Sequence, residues 1–282
     1  MTPGPPPVSV VVPAHNESAG IGRLLRLLTT GTPEGEVEVV VACNGCTDDT
    51  VDTARAFEGV VVVEVPEASK RLALKAGDSV ARHAVRAYVD ADVAVSRHDL
   101  LALVSALTDS VLAAGPERRL SLQGADRTVR WYYDVWQLLP QVRDGLFGRG
   151  VIVLSQEGHE RIRGLPLVMS DDLAISEAFT RQERKVVTGA VAVIEAPRTV
   201  RDLVRRRIRI ATGNSQLDQM GMRSAVARTS VGDLLRIASG SPVLAAKVAV
   251  FVAVTGAGRL LARRRIRRGD YTTWLRDESS RR

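Results

Sequence analysis

Two cysteines in 282 residues cannot frame a disulfide-stapled fold, so the chain depends on its core, as suits a reducing compartment. Histidine is also sparse, at four residues. His15, His83, His98 and His159 are dispersed and make no zinc-site spacing with Cys43 and Cys46. The first seven residues, Met1-Thr2-Pro3-Gly4-Pro5-Pro6-Pro7, lack the basic start and apolar middle of a secretory signal; they read as a loose tail, and a cytoplasmic location is expected. Neither a zinc finger nor an RNP signature is present, so nucleic-acid binding would rest on charge alone and is not expected. Aromatics number only 11, yet Trp131-Tyr132-Tyr133-Asp134-Val135-Trp136 holds four of them. That cluster either packs a core or flanks a sugar or lipid. No linker or repeat divides the chain.

What is present is a globular composition, 45% hydrophobic, with a net charge of +7 that is unevenly spread. From Arg198 onward there are 19 Lys and Arg against six Asp and Glu; the preceding residues carry 20 against 26. A basic C-terminal third on a mildly acidic body implies an anionic contact, nucleic acid or a phospholipid surface by charge alone.

Short β-branched runs at Val8–Val12, Val37–Val41, Val60–Val65 and Val151–Leu154 read as strands, with a brief strand at 87–89 and plausible ones at 186–187 and 191–194. Between them, Ile21, Leu24, Leu25 and Leu28 recur at helical spacing behind a capping Ser18, Thr47-Asp48-Asp49 opens a second helix with two acids at its N-terminus, and 70–86 reads as a third. Ser96 and Asp99 have the spacing of a helix cap. Such alternation predicts an α/β fold, a mostly parallel sheet with helices on both faces and ligands beyond the strands' carboxyl ends. The loops 13–17, 43–48 and 90–92 all follow strands and are therefore expected at one crevice.

Asp90-Ala91-Asp92 is the most telling of these loops. Two acids on one face at a strand exit need a cation, and oxygen ligands of this kind suit Mg²⁺ or Mn²⁺ carrying substrate phosphates; the alternative is a pair of acids capping a turn. Cys43-Asn44-Gly45-Cys46 has redox-motif spacing but coincides with the second loop, which favours small-residue packing.

In order along the chain stand Val-Val-Pro-Ala-His-Asn-Glu (residues 11–17), Asn44-Gly45-Cys46-Thr47-Asp48, Lys70 with Ala76-Gly77, Asp90-Ala91-Asp92 and Asp171-Asp172. In this order they resemble a family 2 glycosyltransferase, the match running through a GT-A domain over roughly residues 8–215. The resemblance implies a GT-A, Rossmann-like domain over 8–196, with a donor half (8–95) and an acceptor half (96–196), then a basic helical extension over 197–282. It implies an inverting, metal-dependent transfer of one sugar from a nucleotide-sugar donor, UDP-sugar favoured, to an acceptor hydroxyl. That acceptor is a sugar, a lipid-linked glycan or a small metabolite. Pro13, His15, Glu17, Asn44 and Asp48 are similar to nucleotide-contacting positions, Asn44 standing where many members have Asp. Lys70 matches a basic position near the diphosphate, Asp90 faces the donor, and Asp92 resembles the ligand of Mg²⁺ or Mn²⁺. Asp172 resembles the general base and Asp171 its neighbour, with Asp in place of the usual Glu. Arg205-Arg206-Arg207-Ile208-Arg209 resembles a degenerate Arg-rich element, in which Arg207 or Arg209 would reach the diphosphate. The Gln-x-x-Arg-Trp motif of processive members is absent, which favours single transfer. Two other functions fit parts of the sequence: a nucleotidyltransferase on a similar scaffold, or a non-catalytic basic module that binds membrane or nucleic acid.

Between Pro242 and Gly258 the only charge is Lys247. This apolar run falls short of the ~20 residues that span a bilayer. It is expected to lie at an anionic membrane surface, on the inner face, with Arg259, Arg263, Arg264, Arg265, Arg267 and Arg268 contributing about 1 kcal/mol each near the headgroups. The alternative is a helix packed on the domain with a solvated arginine tail.

Overall fold

The computed structural model describes residues 4–31, 35–166 and 168–271. The first three residues of the proline-rich tail and the arginines beyond Tyr271 lie outside this range. In chain order the elements are β1 (Val8–Ala14), α1 (Ser18–Thr29), β2 (Val37–Asn44), α2 (Thr50–Arg55), β3 (Val60–Val65), α3 (Lys70–Val80), β4 (Val85–Val89), β5 (Val93–Val95), α4 (Arg97–Ser105) and β6 (Ala113–Ser121). There follow α5 (Arg127–Trp136), α6 (Pro140–Asp144), β7 (Val151–Leu154), α7 (Gln156–Arg163), α8 (Asp171–Glu177), β8 (Arg184–Glu195), α9 (Val200–Gln219), α10 (Val231–Ala238) and α11 (Pro242–Arg267).

These elements form two compact units that interleave in sequence: 1–120, 148–165 and 178–194 make the first, and 121–147, 166–177 and 195–282 the second. The first is a mixed sheet in the order β3-β2-β1-β4-β7-β6-β8-β5. Its β3-β2-β1-β4 half is parallel as expected, whereas β4 pairs antiparallel with β7, β7 with β6, and β5 with β8. β1 is covered on both faces. Val8, Val10 and Val12 join the core cluster of Ile21, Leu24, Leu25 and Leu28 from α1, while Gly77 of α3 approaches Val11 on the other face. Each of those α1 side chains is fully buried, worth about 1.5–3 kcal/mol relative to exposure.

Several sequence expectations are corrected here. The helix expected over 70–86 stops at Val80, because side chains from the sheet take the next amides: Arg82 N–H donates to Glu38 Oε2 (2.8 Å) and His83 N–H to Ser9 Oγ (2.9 Å). β4 can therefore begin at Val85. Ser18 is the first residue of α1 and not its cap; the N-cap position is Glu17, which makes no side-chain cap bond. The two strands expected at 186–187 and 191–194 are one, β8. β5 and β6 had no sequence signal. The Ser96 cap stands, with its hydroxyl accepting from Asp99 N–H at 3.1 Å.

The second unit is helical. Thr199 caps α9 by accepting from Asp202 N–H, Ser230 and Asp233 form a capping box on α10, and Ser241 caps α11 ahead of Pro242. α11 packs against α9, α5 and α10. Tyr132 of α5 stacks on Phe251 of α11 with ring centroids 4.9 Å apart, and Lys247 Nζ lies 2.7 Å from Asp134 Oδ2. Tyr132 and Tyr133 are thus core residues. A smaller cluster, Val168, Leu173, Ala174, Leu217 and Ala227, seats α8 on α9.

Candidate active site

Parallel pairing sets three strand ends at one edge of the sheet: Ala14 of β1 lies in register with Cys43 of β2, and Val11 with Tyr88 of β4. β1 leads to β2 on one side and has β4 on the other, the switch point at which open α/β sheets leave a crevice. Pro13 and Asn44 stand at the ends of β1 and β2, and His15 and Glu17, Asp48, and Asp90 and Asp92 lie in the segments that follow β1, β2 and β4, so the structure brings together the donor-side residues named from the sequence.

The first two loops are stapled to each other. Asn44 is buried and donates from Nδ2 to Ala14 O (2.9 Å), while His15 Nδ1 lies 2.6 Å from Asn44 O. Asn16 adopts φ 51°, a left-handed conformation that Asn tolerates, and its side-chain oxygen accepts from Thr47 N–H (2.7 Å). Asp48 uses both carboxylate oxygens within the protein. Oδ2 accepts from Ser18 N–H (3.2 Å), and Oδ1 accepts from the amide and hydroxyl of Thr50 (3.1 Å to the amide). Thr50 Oγ1 in turn accepts from Glu17 N–H (2.7 Å). Burial alone would raise the Asp48 pKa, but these hydrogen bonds from Thr50 and Ser18 outweigh it and hold the carboxyl below its ordinary value. Pro13 is half-buried and Glu17 buried. Cys43 and Cys46 are free thiols; Cys43 belongs to the core, and burial together with the neighbouring Cys46 pushes its pKa up to about 12, so it is not a reactive thiolate.

Asp90 is anchored at both ends. Its amide donates to Gly150 O (2.8 Å), and its carboxylate lies 2.7 Å from Lys70 Nζ at the N-terminus of α3. Lys70 is therefore at the crevice, paired with the first acid of the D-x-D. Asp92 follows on the same turn, half-buried, a hard oxygen donor of the type divalent ions take. No group of three or more His, Cys, Asp or Glu that could hold a metal occurs among the described residues. A single carboxylate nevertheless fits an ion that takes its other ligands from a diphosphate and water.

Two supporting features were not singled out from the sequence. Gly150 has φ +66°, and a Cβ there would lie 2.3 Å from Val93 Cγ2, so only glycine lets this backbone hold the Asp90 loop. The preceding Arg149 is buried and donates from Nη1 to Pro116 O at 2.7 Å. The sequence signal that marks them is the run of glycines at 145, 148 and 150.

Asp171, Asp172, Arg207 and Arg209 lie in the second unit. Asp171 and Asp172 open α8, and Asp172 Oδ1 accepts from Leu173 N–H (2.8 Å). The loop before them is held by α9: Gln216 Oε1 accepts from Met169 N–H (2.9 Å), and Gly213 packs so closely on Ser170 that a Cβ would lie 2.1 Å from its Oγ. Gln216 was missed in the sequence because a single glutamine on a basic helix carries no pattern. Arg207 packs along Gly258 of α11, its guanidinium 5.9 Å from the Tyr132 ring centre, and Arg209 is half-buried on the same helix.

A nucleotide-binding type of α/β unit with an acidic strand exit is what this geometry defines. Residues 9–147 match the glycosyl transferase family 2 model, and the chain belongs to that family. Over 130 residues it is 33% identical to 4,4'-diaponeurosporenoate glycosyltransferase of Staphylococcus aureus (strain MRSA252), 44% of this chain and 33% of that protein, so the alignment covers about a third of the relative's length. Among solved structures it is similar to the mannosyltransferase PcManGT from Pyrobaculum calidifontis in complex with GDP-Man and Mn²⁺ (TM-score 0.63, 23% identity, 93% of this chain and 81% of that one). It is also similar to glucosyl-3-phosphoglycerate synthase from Mycobacterium tuberculosis with Mn²⁺, UDP and glucosyl-3-phosphoglycerate (TM-score 0.51, 21% identity, 78% and 82%). At these identities the structures show the shared fold.

Proposed function

We propose that the protein is an inverting glycosyltransferase that moves one sugar from a nucleoside-diphosphate sugar to an acceptor hydroxyl. The observation that carries this reading is the convergence of three loops at the sheet's switch point, the first two stapled to each other, with Lys70 and Asp90 paired beside Asp92. The loops after β1 and β2 bind the nucleoside, with Pro13, His15, Glu17, Asn44 and Asp48 as its surroundings. The Asn44 amide nitrogen is committed to Ala14, which leaves its carbonyl to accept a base N–H; uracil and guanine both offer one. A uridine donor is tested first and a guanosine donor second.

Asp92 would hold Mg²⁺ or Mn²⁺ at the diphosphate, and the bound ion would supply neutralisation of the charge that develops there as the anomeric bond breaks. Lys70 adds a second cation, and Asp90 orients it while facing the donor sugar. Arg207 or Arg209 is assigned to the same anionic group. Asp172, set at the start of α8 by the α9 contacts to Met169 and Ser170, takes the proton of the attacking hydroxyl, which enters opposite the leaving group and inverts the anomeric centre. Asp171 supports its position. The acceptor is a sugar or lipid-linked glycan, met by a peripherally bound enzyme on the inner membrane face; a small soluble metabolite is the other candidate.

Thermal unfolding against a panel of nucleotide sugars with Mn²⁺ tests the donor assignment, because a ligand that binds only the native state raises the melting temperature. A metal-dependent rise with one nucleotide sugar is expected. No response to any of them, together with consumption of a nucleoside triphosphate and a sugar 1-phosphate, would point to nucleotidyl transfer.

A further inference from the structure

α11 is amphipathic in an unusual sense: both of its long faces are apolar over most of its length, and only one is used within the unit. Phe251, Val254, Gly258 and Ala262 are buried, at helical spacing, where α11 meets α9 and α5. The opposite face, through Ala245, Ala249, Val252, Ala253 and Leu260, is exposed, with Val252 48% and Leu260 59% accessible. It ends in exposed Arg263, Arg264 and Arg267. Neighbouring α10 adds Val231 and Leu235, 73% and 66% accessible. From Asp233 to Asp270 no acidic residue intervenes, against eight Lys and Arg.

We infer that the exposed face of α11, with α10, is a docking surface for an anionic lipid bilayer, on which α11 lies in the headgroup region and does not cross. An apolar face bordered by a one-signed arginine cluster matches an acyl boundary beneath anionic headgroups and offers an acidic protein partner nothing along its apolar length. By length and composition alone α11 could cross a membrane, since it has 26 residues and an 18-residue stretch of mean hydropathy 1.7, which corrects the expectation that it is too short. Crossing is opposed by its packing. α9, which carries Arg205, Arg206, Arg207 and Arg209, runs against it, and Lys247 in the second turn of α11 pairs with Asp134 of α5, so a spanning α11 would draw these charged helices into hydrocarbon. The surface deepens the membrane-side partner of the proposed transferase and rests on that reading only for the identity of the acceptor.

Vesicle sedimentation of the full chain, without donor, tests this. Binding is expected to vesicles containing phosphatidylglycerol and not to pure phosphatidylcholine, to weaken with salt, and to be released by alkaline carbonate. The double variant Val252→Glu/Leu260→Glu, on exposed positions outside the proposed catalytic machinery, should lose at least tenfold in lipid affinity while keeping the melting temperature and nucleotide-sugar binding of the unmodified chain. Replacing Arg263, Arg264, Arg267 and Arg268 by Gln should abolish the preference for anionic lipid. Failure of the full chain to bind phosphatidylglycerol vesicles at low salt, unchanged binding by the double variant, resistance to carbonate, or a dimer dissolved by the same variant would each overturn the surface. Donor binding read in parallel separates that failure from failure of the transferase reading.

Discussion

Asp90 is tied back through its amide to Gly150 and through its carboxylate to Lys70, which makes Gly150 a point from which the acidic loop is easily disturbed. In Gly150→Ala a methyl group would meet Val93 from a backbone held at φ +66°, costing about 1–2 kcal/mol for the conformation and ~1–3 kcal/mol for overpacking. Calorimetry should find a lower melting temperature and weaker Mn²⁺-dependent donor binding. Unchanged donor affinity in a folded variant would separate Gly150 from the site. Asp172→Asn keeps the shape and an acceptor oxygen toward Leu173 N–H but cannot take a proton. Donor affinity should persist while transfer falls by roughly a hundredfold or more. If Asp171→Asn is the inactive variant and Asp172→Asn turns over normally, the base is the preceding residue. Both loop motifs and both acid pairs were legible in the sequence because their residue types announce their chemistry. The bonds that aim them were not, since an amide donating to Gly150 O or Gln216 accepting from Met169 N–H is set by tertiary packing.

At the scale of elements, the turn from α3 into β4 depends on one buried carboxylate. Glu38 accepts from Ser9 Oγ, from Arg82 N–H (2.8 Å) and from Arg82 Nε (2.6 Å), tying β2 to β1 and to the segment that ends α3. Burial works to raise its pKa, but the bonds from Arg82 and Ser9 prevail and hold it below 4.5. A carboxyl with a depressed folded-state pKa stabilises the fold fully above its unfolded value and loses that contribution as pH falls through the folded one. Glu38→Gln should therefore cost about 1–3 kcal/mol near neutral pH and flatten the loss of stability below about pH 4.5, measured by urea unfolding across pH. An equally steep acid limb in the variant would remove Glu38 from the account. This carboxylate also explains the misread helix. The apolar spacing from Lys70 gives no sign of where sheet side chains intercept the backbone, whereas β3 and β7 were read to the residue because β7 is a continuous aliphatic run and β3 a valine run broken only by Glu64. β6 was invisible for the opposite reason: Gly115, Pro116, Glu117, Arg118 and Arg119 break every strand pattern, and its place is set by β7 beside it.

Across the whole molecule, the chain builds a sheet unit that carries the residues proposed to hold the nucleotide and a helical unit that carries Asp171, Asp172 and the arginines of α9. The division was not legible along the sequence, because α5, α6 and α8 come from the middle of the chain yet belong with the C-terminal helices through contacts such as Gln141 Nε2 to Thr229 Oγ1 (2.7 Å). The central claim is that transfer requires a divalent ion held by Asp92. Turnover with the donor identified by thermal shift, measured after exhaustive chelation, after Mn²⁺ is restored, and in Asp92→Asn, tests it most directly. The account predicts loss of turnover by several powers of ten on chelation, recovery with Mn²⁺, and a comparable loss in Asp92→Asn that Mn²⁺ does not reverse. Full turnover in excess chelator, or in Asp92→Asn, would contradict it.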